Sequence, residues 1–421
     1  MNLREKVEHL DRDDPLRSFK DKFCHTGDEI YLDGNSLGKQ PLQTKQIINS
    51  ILNEQWGEKL VRSWNDSWLE LPKRISAKIG SLLNARPNEI FIGESTSVNL
   101  YKLAYSLVTS GNFPRRLLTD SMNFPTDNYI LEGIVKQLNL ESLVFISYKT
   151  DLEAELTTLK EAIEKKPGVI CLSLVSYKSA YYYPMKELNF FAKTHNSVII
   201  WDLSHAVGAV DVDFKKTNTF AAVGCTYKYL NGGPGSPSFM YIDQSLIPLL
   251  SSPIQGWFGH INPFDFESKY SPSLGIEKFA AGTPQILSLA AVEAGLDITL
   301  EAGLKQIRQK SEKLGTFLMQ FIRDELVPLG FKIESPENPE RRGSHITISH
   351  NESWRICQCL QNPNNGQPKI IPDFRPNRFI RLGFASLYTT YNDLLKTIER
   401  LKEIVMDREF LLHDRSRPKV T

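Results

Sequence analysis

Short apolar runs alternate with stretches of helical spacing through the first half of the chain. The runs at 169–175, 198–202 and 221–223 are apolar and largely β-branched or small, which is typical of buried strands. Before and between these runs, apolar residues recur every three or four positions at 152–165 and 185–194, as they do along one face of a helix. The alternation predicts an α/β fold with a largely parallel sheet and helices on both faces.

The pattern changes in the second half, where a long irregular segment at 251–284 is rich in aromatic residues. A loop of this length is uncommon unless it builds a site or an interface. Helical spacing at 285–326 then predicts a long helix that leaves the large domain. The remaining segments, strands at 331–334, 345–348 and 378–382 and a helix at 392–411, predict a smaller α+β domain.

We therefore predict three parts in a chain of 421 residues, which is long enough for two domains. Residues 1–40 form an N-terminal segment that packs with the small domain. Residues 41–300 form the large domain, which we expect to hold the cofactor described below. Residues 301–421 form the small C-terminal domain.

The charge balance and the cysteines exclude several classes of function. Lys and Arg total 50 and Asp and Glu total 49, so the net charge of +1 argues against a nucleic-acid partner. No apolar stretch reaches the roughly 20 residues that span a bilayer, and the polar start of the chain lacks the core of a signal peptide. The five cysteines are scattered without a C-x-x-C pair, which predicts reduced thiols and no metal site. We expect a soluble cytoplasmic protein that binds neither nucleic acid nor membranes.

Asp202 and Lys228 follow two predicted strands, at the ends where ligands bind in open α/β sheets. Asp202 ends the run at 198–202, and Lys228 precedes the glycine-rich segment 232–235. The pair suits pyridoxal phosphate (PLP), whose aldehyde takes a lysine amine and whose ring nitrogen takes a carboxylate. Taken alone, an Asp and a Lys in such positions more often serve as a helix cap and a solvated loop residue.

Small hydroxyl residues begin a predicted helix after the strand at 89–93. Thr96 and Ser97 stand at its start, where exposed backbone amides favour an anion such as phosphate. Ordinary N-capping by Ser or Thr explains the same residues without a ligand. Both interpretations stay open on this segment alone.

Six segments, taken in order, resemble one family of enzymes. They are YLDGNSLG at 31–38, NFPTD at 123–127, WDLSHAVG at 201–208, YKYLNGGPG at 227–235, GWFGH at 256–260 and FIRLG at 379–383. Their order is similar to that of fold-type I PLP enzymes, and together they resemble the kynureninase family over nearly the whole chain. The resemblance implies a PLP-dependent transferase-like fold and a homodimer with shared active sites.

The resemblance also implies the roles of individual cofactor contacts. Lys228 would hold PLP as a Schiff base and move the substrate α proton, Asp202 would pair with the pyridine nitrogen, and His205 would lie beside the ring. The other implied contacts are Phe124 stacked on the ring, Pro125, Thr126 and Asp127 in the same turn, Ser173 near the ring, Thr96, Ser97, Tyr227 and Trp257 at the phosphate, and Thr283, which with Trp257 would serve the neighbouring subunit. Tyr227 is open between a phosphate ligand and a proton donor.

Arg381 is implied to bind the substrate α-carboxylate, because a guanidinium makes a bidentate, orienting contact. Arg375 and Arg378 stand nearby in sequence, and we expect them to form a solvated basic turn. The other implied substrate contacts are Asn35 and Ser36 over the substrate and Trp64 against its aromatic ring.

The implied reaction is hydrolysis of L-kynurenine, and of its 3-hydroxy form, to anthranilate or 3-hydroxyanthranilate and L-alanine, in tryptophan catabolism or NAD biosynthesis. The segment 55–58 lacks the histidine that animal-type members carry for the ring hydroxyl, which favours unsubstituted kynurenine. The alternative is another PLP enzyme, such as a cysteine desulfurase or an aminotransferase. A desulfurase needs a reactive thiol on a flexible loop, whereas Cys357 and Cys359 stand in a segment of helical pattern.

Overall fold

The computed structural model describes residues 2–25, 27–363, 366–376 and 378–416. The strands are β1 (Ile30–Leu32), β2 (Ile90–Ile92), β3 (Leu117–Asp120), β4 (Val144–Ile146), β5 (Val169–Ser173), β6 (Val198–Asp202), β7 (Ala221–Gly224), β8 (Phe239–Ile242), β9 (Lys332–Ile333), β10 (His345–Ser349), β11 (Ile370–Arg375) and β12 (Phe379–Gly383). The helices are α1 (Leu3–Arg12), α2 (Leu42–Ser50), α3 (Leu71–Leu83), α4 (Thr96–Thr109), α5 (Pro125–Gln137), α6 (Leu156–Lys165), α7 (Met185–Thr194), α8 (Phe214–Thr217), α9 (Ile286–Ala302), α10 (Leu304–Phe321), α11 (Ser353–Gln361) and α12 (Tyr391–Met406).

A seven-stranded sheet carries the candidate chemistry, with the strand order β2-β8-β7-β6-β5-β3-β4. The strands from β4 to β7 are parallel, and β8 pairs antiparallel with both β7 and β2. Every residue of β5 is buried, with Ile170 and Leu172 in one apolar cluster and Val169 and Cys171 in another. A strand with apolar residues on both faces needs cover on both sides, so the predicted α/β class with a largely parallel sheet is confirmed.

A second, five-stranded sheet has the order β1-β11-β12-β10-β9. The N-terminal part of the chain joins it, because β1 pairs in parallel with β11. Asp11 closes this contact by accepting hydrogen bonds from the backbone N–H groups of Tyr391 (2.7 Å) and Asn392 (3.0 Å), at the start of α12. The N-terminal segment therefore brings the turn after β1 next to β12.

Three predicted helices differ from the structure. The predicted helix at 285–326 is two helices, α9 and α10, because Gly303 between them has a φ of +75°, which no helix interior can adopt. The sequence also predicts a helix over residues 41–57, which is α-helical only to Ser50 and continues as a π-helix over Ile51–Lys59. The predicted helix at 392–411 ends at Met406 and is followed by a short 3₁₀ turn.

The strand β8 has no counterpart among the predicted elements. It lies between β7 and β2 in the sheet, and it is short and fully buried. Within the described residues, no helix is both long and apolar enough to cross a membrane.

Candidate active site

Asp202 lies at the carboxyl end of β6, where the buried strand stops and the chain turns. The backbone N–H and the hydroxyl of Ser204 both donate to Asp202 Oδ1, at 2.8 and 2.6 Å. Asp127, in the first turn of α5, faces Asp202, and both carboxyls are buried. Burial raises the pKa of each, and the charge of Asp202 raises the pKa of Asp127 further. Two carboxyls thus share a site that can hold a positive group.

Lys228 lies in the turn after β7, and its charge lowers the pKa of both carboxyls. Its Nζ is 6.0 Å from the centroid of the Phe124 ring and 5.8 Å from that of Tyr227. Gly38 anchors the backbone here by donating from its N–H to the Tyr227 carbonyl at 2.8 Å. A side chain at Gly38 would collide with the Lys228 carbonyl, so the end of the segment 31–38 packs directly against the backbone of the lysine.

Two helix starts lie among the predicted phosphate and ring contacts. Ser95 is the N-cap of α4 and accepts from the Val98 N–H at 3.4 Å, so Thr96 and Ser97 are the first helical residues rather than the cap. At the start of α5, Phe124 is the N-cap residue, followed by Pro125, Thr126 and Asp127. Helix starts present unpaired N–H groups, so both can receive an anion or a polar ring substituent.

Ser173 ends β5 directly beside Asp202, with which it is paired in register. Its hydroxyl donates to Oδ1 of Asn123 at 2.6 Å, and the same oxygen accepts from the Phe124 N–H at 3.0 Å. Asn123 therefore connects the β5 end to the turn that carries Phe124. Asn123 was not predicted as a site residue, although its place beside Phe124 in the segment NFPTD is a usable signal.

His205 is buried three residues after Asp202 and lies edge-on to His345, with ring centroids 5.6 Å apart. Burial, and then the charges of Lys228 and Arg381, hold the pKa of His205 well below its usual value. His205 is therefore neutral at pH 7. His345, on β10, was not predicted, because nothing in the local sequence indicates which face of that strand meets the large domain.

Arg381 on β12 is almost fully buried and contacts three different segments. Its Nε donates to Asp373, its cross-strand partner on β11, and its Nη1 donates to the carbonyl of Tyr177 at 2.6 Å. Its Nη2 donates to Ser36 Oγ at 3.3 Å. The guanidinium is thus fixed between the two sheets, with its charge felt at His205.

Arg375 and Arg378 differ from each other in their surroundings. Arg375 is half-buried and donates from Nε to Asp373 Oδ2 at 2.9 Å, so the expectation of a solvated turn was wrong for this residue. Arg378 is exposed. Asp373 and Tyr177, which hold Arg381, were not predicted, because only the strand register and the packing of the two sheets bring them to it.

Asn35 lies in the turn after β1 and is completely buried. Neither its amide oxygen nor its amide nitrogen has a hydrogen-bond partner among the described residues. A buried amide without partners is costly, so this side chain is suited to a ligand that supplies them.

Three predicted site residues lie in or against the aromatic segment 251–284 and make none of the contacts described above. They are Trp64, Trp257 and Thr283. Trp64 meets Trp68 edge-on at 5.2 Å and Phe258 at 6.4 Å. Trp257 is 40% exposed and stacks on Phe266 at 5.9 Å. Thr283 is exposed and lines a cavity of about 680 Å³ whose lining includes neither Lys228 nor Asp202. Within one chain, the structure does not bring these three residues to the Asp202–Lys228 pair.

The residues present fit PLP. Asp127 and Asp202 are buried carboxyls whose pKa values burial raises, and a protonated pyridine nitrogen beside them would stabilise the ionised form. Nδ1 of His205 is buried with no hydrogen-bond partner among the described residues. Phe124 presents a partly exposed ring near Lys228, and two helix starts are available for the phosphate.

Comparisons with known proteins agree with this geometry. A family model described as the kynureninase C-terminal domain matches residues 307–401. Kynureninase of Pseudomonas fluorescens is 35% identical over 414 residues, which covers 97% of this chain and 97% of the relative. Kynureninase of Burkholderia mallei (strain SAVP1) is 33% identical over 410 residues, which covers 96% of each.

Solved structures with the same fold include a cysteine desulfurase from Thermococcus onnurineus NA1, with a TM-score of 0.78 and 17% identity over 97% of this chain and 99% of that one. A variant of C-DES with glycine covalently linked to its PLP cofactor has a TM-score of 0.80 and 14% identity, over 91% of this chain and 99% of that one. At such identities these structures show the shared fold alone. The predicted fold type I is confirmed.

Proposed function

The chain belongs to the kynureninase family, and we propose that it hydrolyses L-kynurenine to anthranilate and L-alanine with PLP as cofactor. The observation that carries the proposal is the closeness of three charged groups: burial and then the charges of Lys228 and Arg381 lower the pKa of His205, and the charge of Lys228 also lowers that of Asp202. An amine, a carboxylate and a guanidinium in one buried site match what an amino-acid substrate and PLP require.

The contacts described above support the cofactor-binding roles that the family resemblance implies. Asp202 would hold the proton on the pyridine nitrogen, Phe124 would cover the ring, and His205 would lie beside it. Thr96 and Ser97, with Tyr227, would bind the phosphate at the start of α4, and Pro125, Thr126 and Asp127 would line the ring edge at the start of α5. Ser173, which donates to Asn123, would contact the ring. When bound, PLP supplies a ring that accepts electrons from the substrate.

The substrate is oriented before any bond changes. Arg381 binds its α-carboxylate, and Asn35 and Ser36 close over it from the turn after β1. Lys228 takes the α proton and returns it in a later step. The adjacent Cys225 and then burial raise the pKa of Tyr227, so its hydroxyl stays protonated and would donate either to the phosphate or to the β carbon of the substrate.

The reaction consumes one water molecule. The hydroxyl group of this water adds to the γ carbonyl carbon of the substrate. The bond between the β and γ carbons then breaks, and its electron pair stays on the β carbon. The γ carbon leaves as the carboxyl group of anthranilate. The β carbon takes a proton and becomes the methyl group of L-alanine.

We further propose a cytoplasmic homodimer that works in tryptophan catabolism or NAD biosynthesis. Trp257 and Thr283 would reach the neighbouring subunit's cofactor, and Trp64 would contact the substrate ring. Their place around an exposed aromatic segment, with Phe264 51% and Phe266 76% exposed, supports an interface there. Reaction of purified protein with kynurenine and with 3-hydroxykynurenine would establish which substrate is preferred.

The buried cysteines argue against a desulfurase. Cys357 and Cys359 lie on α11, and burial raises the pKa of both thiols, that of Cys359 to about 11. A desulfurase needs an exposed thiol of low pKa on a mobile loop. We expect the Cys357→Ala variant to keep its full rate of anthranilate formation.

The test is fluorescent anthranilate formation from L-kynurenine by the PLP-loaded protein. The protein should be yellow, borohydride should remove the visible absorption band, and the Lys228→Ala variant should lack both the band and the activity. The Lys186→Ala variant, which changes a lysine outside the site, is the matched control and should behave as the original. Sulfide release from cysteine without anthranilate would overturn the proposal.

A further inference from the structure

A second carboxylate lies beside the arginine proposed to bind the substrate carboxylate. Asp33 is in the turn after β1, and this turn is tied to β12 by a bridge to Gly383 and by the Gly34 N–H, which donates to the Gly383 carbonyl at 3.3 Å. The Ser36 backbone N–H donates to the Asp33 carbonyl at 3.0 Å, and the Ser36 hydroxyl accepts from Arg381 Nη2 at 3.3 Å. Asp33 and Arg381 are thus joined through one residue, Ser36.

Two positive and two negative side chains lie together here, so their charges balance before any substrate binds. The positive ones are Arg375 and Arg381, which both donate to Asp373, and the second carboxylate of this charge cluster is Asp33. Oδ1 of Asp33 is buried and has no hydrogen-bond partner among the described residues. A substrate carboxylate at Arg381 would leave the cluster with one negative charge in excess. A buried excess charge is unfavourable unless a group changes its protonation.

We propose that Asp33 takes up a proton when the substrate carboxylate binds Arg381. Binding of a carboxylate in this site is then coupled to uptake of a proton. This inference rests on the proposed function, because it assumes that Arg381 receives the carboxylate. Asp33 acts through Ser36 and the shared charge, and is a positioning residue for the carboxylate.

The surroundings of Asp33 favour it over Asp373 as the group that changes. Burial, and then the charge of Asp373, raise the pKa of Asp33 to about 6, while Ser36 and the two arginines lower it. Asp373 holds both guanidinium groups directly.

Three tyrosines lie within the electrostatic influence of Asp33, but none of them can take up the proton instead. They are Tyr31, Tyr229 and Tyr388, and burial raises the pKa of each, so all three stay neutral. A substrate carboxylate is one more negative charge and would raise the pKa of Asp33 further.

The affinity for a carboxylate ligand should fall as the pH rises above about 6. Below a pH of about 6, Asp33 is protonated with or without ligand, and affinity for a carboxylate does not change with pH through this group. Above that value, binding must take up a proton, so affinity falls by up to about tenfold per pH unit until the raised pKa of the complex is reached.

The experiment measures inhibition of the holoenzyme by 3-benzoylpropanoate, which carries the carboxylate and the aryl ketone of the substrate but no amino group. Its Ki is measured from about pH 5.5 to 8, across the interval in which Asp33 would change protonation. We expect Ki to rise with pH for the original protein and for Asp28→Asn, an exposed carboxylate nearby. For Asp33→Asn, Ki should stay constant and be about tenfold lower or more at the high end.

The same slope in the original protein and in Asp33→Asn would overturn the inference. If that variant does not fold, isothermal titration of the original protein with the same inhibitor, in two buffers of different ionisation enthalpy, decides the matter. Uptake of a fraction of a proton near pH 7 supports the inference, and no uptake contradicts it. Failure of the proposed function would show differently, as absence of anthranilate formation at every pH.

Discussion

Ser173 and Asn123 are joined by a hydrogen bond of 2.6 Å between the Ser173 hydroxyl and Asn123 Oδ1, which links the end of β5 to the start of α5. Asn123 also donates to the carbonyl of Cys171 at 3.2 Å and accepts from the Phe124 N–H. One buried amide therefore sets the separation between the Asp202 edge of the sheet and the ring of Phe124.

We expect Asn123→Ala to lower the free energy of unfolding by about 1–3 kcal/mol, because it leaves buried donors and an acceptor without partners. It should also weaken PLP binding, because Phe124 loses its fixed position. Urea denaturation of the cofactor-free protein and titration with PLP measure the two effects. Asn112→Ala, on an exposed loop, is the control, and equal losses in the two variants would contradict the role of Asn123.

Asp127 and Asp202 differ in which of them carries a proton. Asp127 has its pKa raised further, because the Asp202 charge adds to its burial, whereas Ser204 stabilises Asp202 as the carboxylate. An amide in place of Asp127 still offers a neutral donor. We expect Asp127→Asn to keep kcat within about tenfold and Asp202→Asn to lose about a hundredfold or more, measured with saturating PLP. Equal losses would show that both act as carboxylates.

Arg381→Lys should separate binding of the substrate from its chemistry. A lysine cannot reproduce the three fixed contacts of the guanidinium to Asp373, Tyr177 and Ser36, nor a bidentate contact to a carboxylate. Loss of a charged hydrogen bond costs about 1.5–3 kcal/mol, so we expect KM for kynurenine to rise by roughly 10- to 150-fold. The exposed Arg378 provides the control, and a similar rise in KM for Arg378→Lys would refute the assignment.

The parallel sheet was predictable because β5 and β6 are continuous apolar runs, and their carboxyl ends placed Asp202 at the ligand edge. The contacts of Arg381 were not predictable in the same way. Ser36 is 345 residues away in sequence, and Asp373 meets Arg381 only through the register of β11 and β12. No local pattern specifies either relationship. The sequence therefore indicates candidate groups for the chemistry, whereas the residues that hold Arg381 in place depend on how the two sheets pack.

Gly303 interrupts a stretch of the chain whose apolar spacing predicts one continuous helix. Apolar spacing continues from α9 into α10, but Gly303 has a φ of +75° and separates them. A Cβ at this position would meet nothing within 4 Å, so substitution affects backbone conformation alone.

Gly303→Ala should therefore destabilise the protein by about 1–3 kcal/mol, because an L-residue is strained at a φ of +75° with a ψ of 130°. Gly133, inside α5, offers the opposite case, since a Cβ there also meets nothing but the residue is helical. Gly133→Ala should stabilise by about 0.5–1 kcal/mol, because alanine loses less entropy on entering a helix. Urea denaturation of both variants gives the comparison. Changes of the same sign would mean that packing, rather than the φ of Gly303, sets the break between α9 and α10.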